Sequence, residues 1–336
     1  MSTKSKNNVL AIFGPTASGK TDLLKKLFVD TGLSSRVSVI SADSIQVFRG
    51  LDVGSAKPDA GFLSTLPHKL IDIIEPDKDF SVGDFVRLAD EACRECVSQG
   101  RLPVISGGTA YYLRGFIMGI PETPQISGEI RVEVLEELRI RGPESLRAEL
   151  LRVDPESHAR IHANDTYRLT RALEVFRGTG RPLSSFPVPD RPREDWNVLA
   201  IGLERPRDEL NERIRERVEL MFEKGLAAEV LGLLGQGYTK GSPGLKGIGY
   251  AEFIEAYTQY GADFMKHQEI LDEVREAIIL HTRQYAKRQM TFMRSLPGVQ
   301  WFAPDSVEAI KKAIDVALAP DFLFGYTSPQ IGRAQV

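Results

Sequence analysis

The octapeptide Gly14-Pro15-Thr16-Ala17-Ser18-Gly19-Lys20-Thr21 constrains this chain more than any other segment. It satisfies the spacing G-x-x-x-x-G-K-[ST] throughout. It follows a short apolar run, Val9–Phe13, and opens a stretch, Ser18–Phe28, with helical spacing at Leu23, Leu24, Leu27 and Phe28. A strand that turns sharply into a helix aims several backbone N–H groups and the positive helix end at one point, which suits phosphate oxygens. Gly19 allows close backbone approach, Lys20 adds a positive charge, and the Thr21 hydroxyl can hold Mg²⁺. The pattern specifies phosphates without specifying a reaction.

The surroundings of the loop predict an α/β fold. Val37–Ile40 and Leu102–Ile105 are short β-rich runs closed by small or polar residues, Val82–Gln99 reads as a helix between them, and Trp196–Leu203 is a later strand. Apolar, non-alternating strands separated by helices indicate a P-loop core with a parallel sheet covered by helices on both faces. From about Pro121 the character changes. Pro121 and Pro124 mark a linker, followed by helices at Glu129–Arg141, Gly142–Arg152, Pro155–His162 and Thr166–Gly178, then a proline-rich stretch, Gly180–Glu194. The expected organisation is 1–121 as the first part of the core, 122–195 as a helical insertion, and 196–336 as the rest of the core. This last part carries C-terminal helices at Arg207–Lys224, Leu226–Leu234, Tyr250–Tyr260 and Lys266–Leu296.

A net charge of −3 excludes a global basic field, so any nucleic acid must be held by a local patch. One candidate is Thr282–Arg294, with Arg283, Lys287, Arg288 and Arg294 and no acid; Arg283, Lys287 and Arg294 share one helical stripe. Arg168 and Arg171 share a side of another helix, with Leu169, Leu173 and Phe176 opposite. Arg213 and Arg217 lie four apart on one helix face. Asp43, at the end of the second strand, could ligate Mg²⁺, act as a general base or cap a turn. Cys93 and Cys96 make no disulfide framework and read as half-buried helix residues; His158 and His162 lack a third ligand; Trp196 and Trp301 read as packing residues. No segment reaches ~18 uninterrupted apolar residues, so no membrane is expected and the cytoplasm is the default.

Several segments, in order, carry a resemblance. They are Gly14–Thr21, Ala42–Pro58, His68–Ile73, Phe80-Ser81, Gly107-Gly108-Thr109, Asn164-Asp165 with Arg168–Val175, Gly247-Ile248-Gly249-Tyr250 and Thr282–Gln289. Over about residues 9–302 the chain resembles the tRNA dimethylallyltransferase, or tRNA isopentenyltransferase, family. The resemblance implies transfer of a dimethylallyl group from dimethylallyl diphosphate to N6 of adenosine 37 in tRNAs reading codons that begin with U, with release of diphosphate. It implies that Gly14, Pro15, Thr16, Ala17, Ser18, Gly19, Lys20 and Thr21, with Arg213 and Arg217, hold the donor diphosphate and Mg²⁺, Thr21 being the metal ligand. Catalysis would rest on Asp43 as base, aided by Lys20 and Thr21. Contact with the tRNA anticodon stem-loop would come from Asp43, Ser44, Ile45, Gln46, Thr109, Tyr167, Arg168, Leu169, Thr170, Arg171, Lys246, Gly247, Ile248, Gly249, Tyr250 and Ala251, beside the basic Arg283 and Lys287. A monomer is expected, and the lack of a C-terminal Cys/His zinc finger points to a bacterial form. Phe48 and Phe80 stand where tyrosine is common, Tyr111 replaces a usual leucine, and Leu245-Lys246-Gly247 is an unusual lead into Ile248.

Two other classes remain. A small-molecule or nucleotide kinase would use the same loop on ATP, with the insertion as a lid. A GTPase-like switch or non-catalytic RNA-binding module would leave Asp43 idle, and no N-K-x-D guanine motif is present.

Overall fold

In a computed structural model describing residues 7–124, 126–318 and 323–325, six strands form one sheet. They are β1 (Asn7–Phe13), β2 (Val37–Ala42), β3 (His68–Lys69), β4 (Leu102–Gly107), β5 (Trp196–Leu203) and β6 (Gln300–Phe302), in the spatial order β3-β2-β4-β1-β5-β6. Every pairing is parallel. All residues of β2 and β4 are buried, as central parallel strands with covered faces must be.

The helices that position the site come next. The first, α1 (Lys20–Leu24), runs on into a π-helical turn, Lys25–Val29. It is followed by α2 (Ala60–Thr65), α3 (Val82–Ser98) and α4 (Ala110–Met118). The start of α3 is fixed by a reciprocal cap, in which the Ser81 hydroxyl accepts from the Asp84 N–H and the Asp84 carboxylate accepts from the Ser81 N–H. After α5 (Gly128–Val153), α6 (Pro155–Arg160) and α7 (Thr166–Thr179) come α8 (Arg207–Glu223), α9 (Leu226–Gly235), α10 (Tyr250–Tyr260), α11 (Gln268–Met293) and α12 (Val307–Leu318).

Two cores hold the main unit together. One buries Leu10 and Ile12 of β1 against Leu23, Leu27 and Phe28, with Ile310 and Ile314 of α12. The other joins Val47, Phe48 and Leu51 to Val218 of α8, Val230 of α9, Phe253 of α10 and Ile278 of α11. The chain divides into residues 1–117 with 193–336, and a second compact unit, Met118–Pro192. That second unit has its own core of Val134, Leu146, Leu150, Leu169 and Leu173. Its α5 breaks at Gly142, whose φ of 74° leaves the helical region just before Pro143. Arg177 of α7 ties the two halves of α5 by reaching Glu137 at 2.7 Å and Glu149 at 2.5 Å.

Five elements were not expected from the sequence: α2, β3, α4, β6 and α12, although Ile310, Ile314 and Leu318 of α12 recur at helical spacing and are buried. Both strands are very short and sit at the sheet edges, so neither develops a fully buried apolar run. Cys93 and Cys96 are wholly buried rather than half-buried, on the face of α3 turned to the sheet. Burial pushes the thiols of both upward, away from reactivity.

The ends of β2 and β4 approach so closely at Gly107 that a Cβ there would lie 2.1 Å from the Ala42 carbonyl oxygen. Gly107→Ala must therefore prise apart the two strand ends that flank Asp43. A loss of about 1–3 kcal/mol in urea unfolding is expected from such overpacking. An unchanged midpoint would refute this account of the strand junction.

Candidate active site

The loop after β1 is built as an anion nest. Ala17 and Gly19 both take left-handed φ, 65° and 98°, which folds the backbone around a concave row of N–H groups. Gly14 leaves no room for a side chain, since a Cβ would sit 2.7 Å from Ser18 Oγ and 2.8 Å from the Leu203 carbonyl. The loop's carbonyls are taken: Arg205 Nε donates to Ser18 O and Arg213 Nε to Ala17 O, each at 3.0 Å. Lys20 Nζ donates to Gly14 O at 3.0 Å and Pro15 O at 2.9 Å. The N–H groups of Ala17, Gly19, Lys20 and Thr21 have no partner among the described residues, and the buried Ser18 hydroxyl has none either. These are the donors an anion would use.

Charge in the nest is held at a cost. Burial, and secondarily the neighbouring Arg217, lowers the Lys20 ammonium from 10.5 to about 8, with Asp43 opposing the shift. Arg217 is likewise pulled down by burial, with Asp43 again opposing. Two desolvated cations thus stand near one carboxylate.

Asp43 follows β2 in a short turn. Its Oδ1 accepts from the N–H groups of Ile45 at 2.9 Å and Gln46 at 3.2 Å; its Oδ2 makes no hydrogen bond among the described residues. The turn is stitched to the end of β4: Thr109 Oγ1 accepts from the Ser44 N–H at 2.9 Å, and the Thr109 N–H donates to Ala42 O at 3.1 Å. From α11, Gln289 completes the stitch. Its Nε2 donates to Gly108 O at 2.7 Å and its Oε1 accepts from the Thr16 N–H at 2.9 Å. One amide thereby joins the β4 end to the nest.

These residues line a cavity of about 480 Å³. Its lining combines Thr16, Asp43, Thr109, Arg217 and Gln289 with the apolar Phe48, Phe80, Val218, Met221, Ile248 and Ile278, and further polar groups come from Asp79, Lys246, Thr282 and Arg288. Tyr112 stacks on Phe85 at 4.5 Å between ring centroids and meets Phe80 edge-on at 6.0 Å. Burial first, then Asp43, pushes the Tyr112 and Tyr285 hydroxyls upward, so both remain neutral hydrogen-bonding groups. Among the described residues no cluster of His, Cys, Asp or Glu could hold a metal ion, and no helix is long and apolar enough to cross a membrane.

The structure gathers some of the sequence-predicted residues and separates others. Thr16, Asp43, Ser44, Ile45, Thr109, Arg217, Lys246, Gly247 and Ile248 all line the cavity. Gln46 sits behind Asp43 and bonds Ser41 and Ser55. Arg213 does not line it; besides Ala17 O, it faces Asp22 at 3.5 Å. Thr21 is exposed at the start of α1.

The expected RNA contacts differ in exposure. Leu169 and Thr170 are buried in the core of the second unit, because they occupy the apolar side of α7. Tyr167, 74% exposed, and Arg168 remain on its surface, while Arg171 pairs with the buried Glu174 at 3.2 Å. Gly249 and Tyr250 are buried too; the Tyr250 hydroxyl bonds Glu229 at 2.7 Å, and only Ala251 beyond them is exposed. The basic stripe on α11 does not face solvent as a row. Arg283 turns onto α8, donating to Asn211 O at 3.4 Å, and Arg294 pairs with Glu204 at 3.1 Å, whereas Lys287 and Arg288 stay exposed.

Sequence reasoning assigned no role to Gln289, Glu229 or Arg205. The signal for Gln289 was available: Thr282, Ala286, Gln289 and Met293 recur at helical spacing and are all buried. A long amide on a buried helix face needs partners there.

Comparison with known proteins agrees with this geometry. A family described as IPP transferase matches residues 46–296, and one described as isopentenyl transferase matches residues 7–71. The tRNA dimethylallyltransferase of Geobacter sulfurreducens is 41% identical over 298 residues, covering 88% of this chain and 92% of its own. That of Borrelia turicatae is 40% identical over 300 residues, covering 89% and 95%. Among solved structures, the tRNA isopentenylpyrophosphate transferase of Bacillus halodurans is 33% identical with a TM-score of 0.64, covering 93% of this chain and 97% of that one. A eukaryotic dimethylallyltransferase acting on tRNA shares the fold, with a TM-score of 0.74 at 22% identity, covering 96% of this chain and 82% of its own. With a nest for phosphates, a carboxylate beside it and relatives matched over nearly their whole length, the chain belongs to the tRNA dimethylallyltransferase family of IPP transferases.

Proposed function

We propose that this enzyme transfers the dimethylallyl group of dimethylallyl diphosphate to N6 of adenosine 37 in tRNAs reading codons that begin with U. The observation that carries this reading is a cavity lined by Thr16 of the nest, Arg217, Asp43 and a set of apolar side chains, with Lys20 feeling the charges of both Arg217 and Asp43. The diphosphate lies in the loop Gly14–Thr21 beside Lys20 and Arg217, and the hydrocarbon chain lies against Phe48, Phe80 and Met221. The adenine N6 lone pair forms a bond to C1 of the allyl group. The C1–O bond breaks and its electron pair leaves with the diphosphate. The proton lost from N6 passes to Asp43 Oδ2, the oxygen that its turn leaves unengaged.

The adenine amine is a weak nucleophile because its lone pair is delocalised into the ring, so both kinds of help matter. Preorganised N–H groups and cations stabilise charge that grows on the leaving oxygen, and a positioned base removes the proton as the bond forms. An adenosine reaches this cavity only by leaving its stack, at a cost of a few kcal/mol. Exposed Tyr167, Arg168, Lys246, Lys287 and Arg288 are the groups available to hold the RNA. Mg²⁺ fits the site as an ion shared with the substrate. Thr21 offers one exposed, unengaged hydroxyl, and an ion that keeps waters and takes substrate phosphates needs little more from the protein. When bound there it neutralises charge on the departing diphosphate.

Incubation with tRNA and dimethylallyl diphosphate, without ATP, tests the function directly; a requirement for ATP would favour the kinase reading. In the same assay Asp43→Asn is expected to slow transfer about 10²–10⁴-fold while tRNA binding stays within a few-fold of the parent. Full transfer by that variant would remove Asp43 as the base.

Lys20 adds a pH dependence. Its folded-state pKa of about 8 means the ammonium is fully present only below that value, and a bound anion favours the charged form. Calorimetric titration with pyrophosphate should therefore show affinity falling, by up to about ten-fold per unit, and proton uptake appearing, as pH rises through 8. Lys20→Met should lack this step. The same pH profile in both proteins would refute the assignment.

A further inference from the structure

We infer that Glu229, on α9, is a positioning residue for the donor: through the turn Leu51–Ala56 it holds Arg217 at the diphosphate end of the cavity. The inference rests on the function proposed above. Its starting point is a carboxylate with an unusual set of partners. Glu229 Oε2 accepts from the N–H groups of Asp52 at 2.9 Å and Val53 at 2.7 Å, and Oε1 accepts from the N–H of Gly54 at 3.0 Å. Three successive backbone donors thus converge on one side chain 175 residues away in sequence. Oε1 also accepts from the Tyr250 hydroxyl at 2.7 Å. Burial, together with this carboxylate, pushes that phenol upward, so it stays a donor.

A ring adds to this hold. Gly54 lies directly on the Tyr250 ring, where a Cβ would come within 2.5 Å of the aromatic carbon. Tyr250 is wholly buried and cannot retreat. The turn is therefore confined by backbone bonds to a carboxylate and by the ring that is bonded to the same carboxylate.

That position reaches the site through Ser55. Its carbonyl accepts from Arg217 Nη2 at 3.1 Å and from Gln46 Nε2 at 3.5 Å. Gly54, Ser55 and Arg217 all line the cavity. No carboxylate bridges the Arg217 guanidinium at salt-bridge distance among the described residues; Asp43 acts on it only at longer range. The Ser55 carbonyl is the hydrogen-bonding partner that aims this side chain. A carbonyl can do this only if its peptide is held: the Ser55 hydroxyl donates to Leu51 O at 2.6 Å and the Ala56 N–H to Val53 O at 2.9 Å within the turn, and Glu229 anchors the turn to α9. A bidentate contact to a diphosphate tolerates little error in the angle of the arginine fork.

The test uses the isosteric Glu229→Gln, which keeps one acceptor oxygen but loses the other and the charge. Pyrophosphate affinity and the KM for dimethylallyl diphosphate should each worsen about ten-fold, with tRNA affinity unchanged. In the Arg217→Lys background the same substitution should add little, because the group it positions is already altered. Gly54→Ala, which displaces the turn by a clash with the Tyr250 ring, should reproduce the donor-specific loss and serves if Glu229→Gln does not fold. A purely structural role predicts lower thermal stability with both substrates affected alike, or a loss that multiplies with Arg217→Lys; either result overturns the inference. If the parent protein binds pyrophosphate but does not prenylate tRNA, the proposed function fails while the positioning can still be read from pyrophosphate affinity. If the parent binds pyrophosphate and Glu229→Gln binds it equally well, the inference alone fails.

Discussion

The site depends on one buried amide. β2, β4 and β1 end at similar heights in the sheet, but parallel pairing alone does not bring the residues beyond those ends together. Gln289 does, accepting from the Thr16 N–H of the nest and donating to the Gly108 carbonyl after β4. Thr109, next in sequence, then accepts from the Ser44 N–H beside Asp43. A chain of hydrogen bonds thus runs from α11 through β4 to the catalytic-site turn. The Gln289–Gly108 link is buried and the other two are partly so, which makes them more costly to break than surface contacts. Gln289 is only 3% exposed, and its two bonds require opposite ends of the amide, which fixes its orientation.

Around that frame the buried cations of the nest are met by carbonyls and by one carboxylate at longer range. Lys20 and Arg217 both lose affinity for their protons through burial, and each is only partly relieved by Asp43. A diphosphate entering between them relieves two desolvated cations and four unpartnered N–H groups together. The stabilisation available to such a ligand is large because the protein has already met the cost of desolvating its own donors.

The parts of this architecture that were legible in the sequence are those with a local signature. The turn Gly14–Thr21 announces itself because a nest requires glycine at one left-handed position and lysine at the next. The central strands announce themselves because burial on both faces removes every polar residue from the middle of β1. Asp43 could be placed beside the nest, since it follows a strand of the same sheet. What could not be read was partnership at long range. Glu229 and the turn Asp52–Gly54 are far apart in sequence and meet only through the fold. Nor could periodicity tell which residues of a helix with basic and buried faces point outward. Arg283 falls on the same stripe as Lys287, yet Arg283 is drawn onto α8, while Lys287 lies one turn on where α8 no longer covers it. Leu169, Thr170 and Tyr250, which the resemblance placed among RNA contacts, are buried, because a motif records which residues recur without separating exposed side chains from packed ones.

The composition of the cavity wall bears on how a nest of this kind would take an isoprenoid. Ser44, Lys246, Thr282, Tyr285 and Arg288 in the lining offer polar partners to a base, whereas Phe48, Phe80, Val218, Met221 and Ile278 offer no hydrogen bonds. A short branched hydrocarbon asks only to be removed from water, which those side chains accomplish without specific geometry. The aromatic faces offer something further to an allylic carbon that becomes electron-poor as its bond to oxygen lengthens, because ring quadrupoles attract positive charge. The nest withdraws the leaving group while the apolar side chains shield the carbon from water, which would otherwise compete with the amine. Asp43 lines the same cavity as these apolar side chains, and its Oδ2, without a hydrogen bond among the described residues, is the atom to which the proposed reaction assigns the proton.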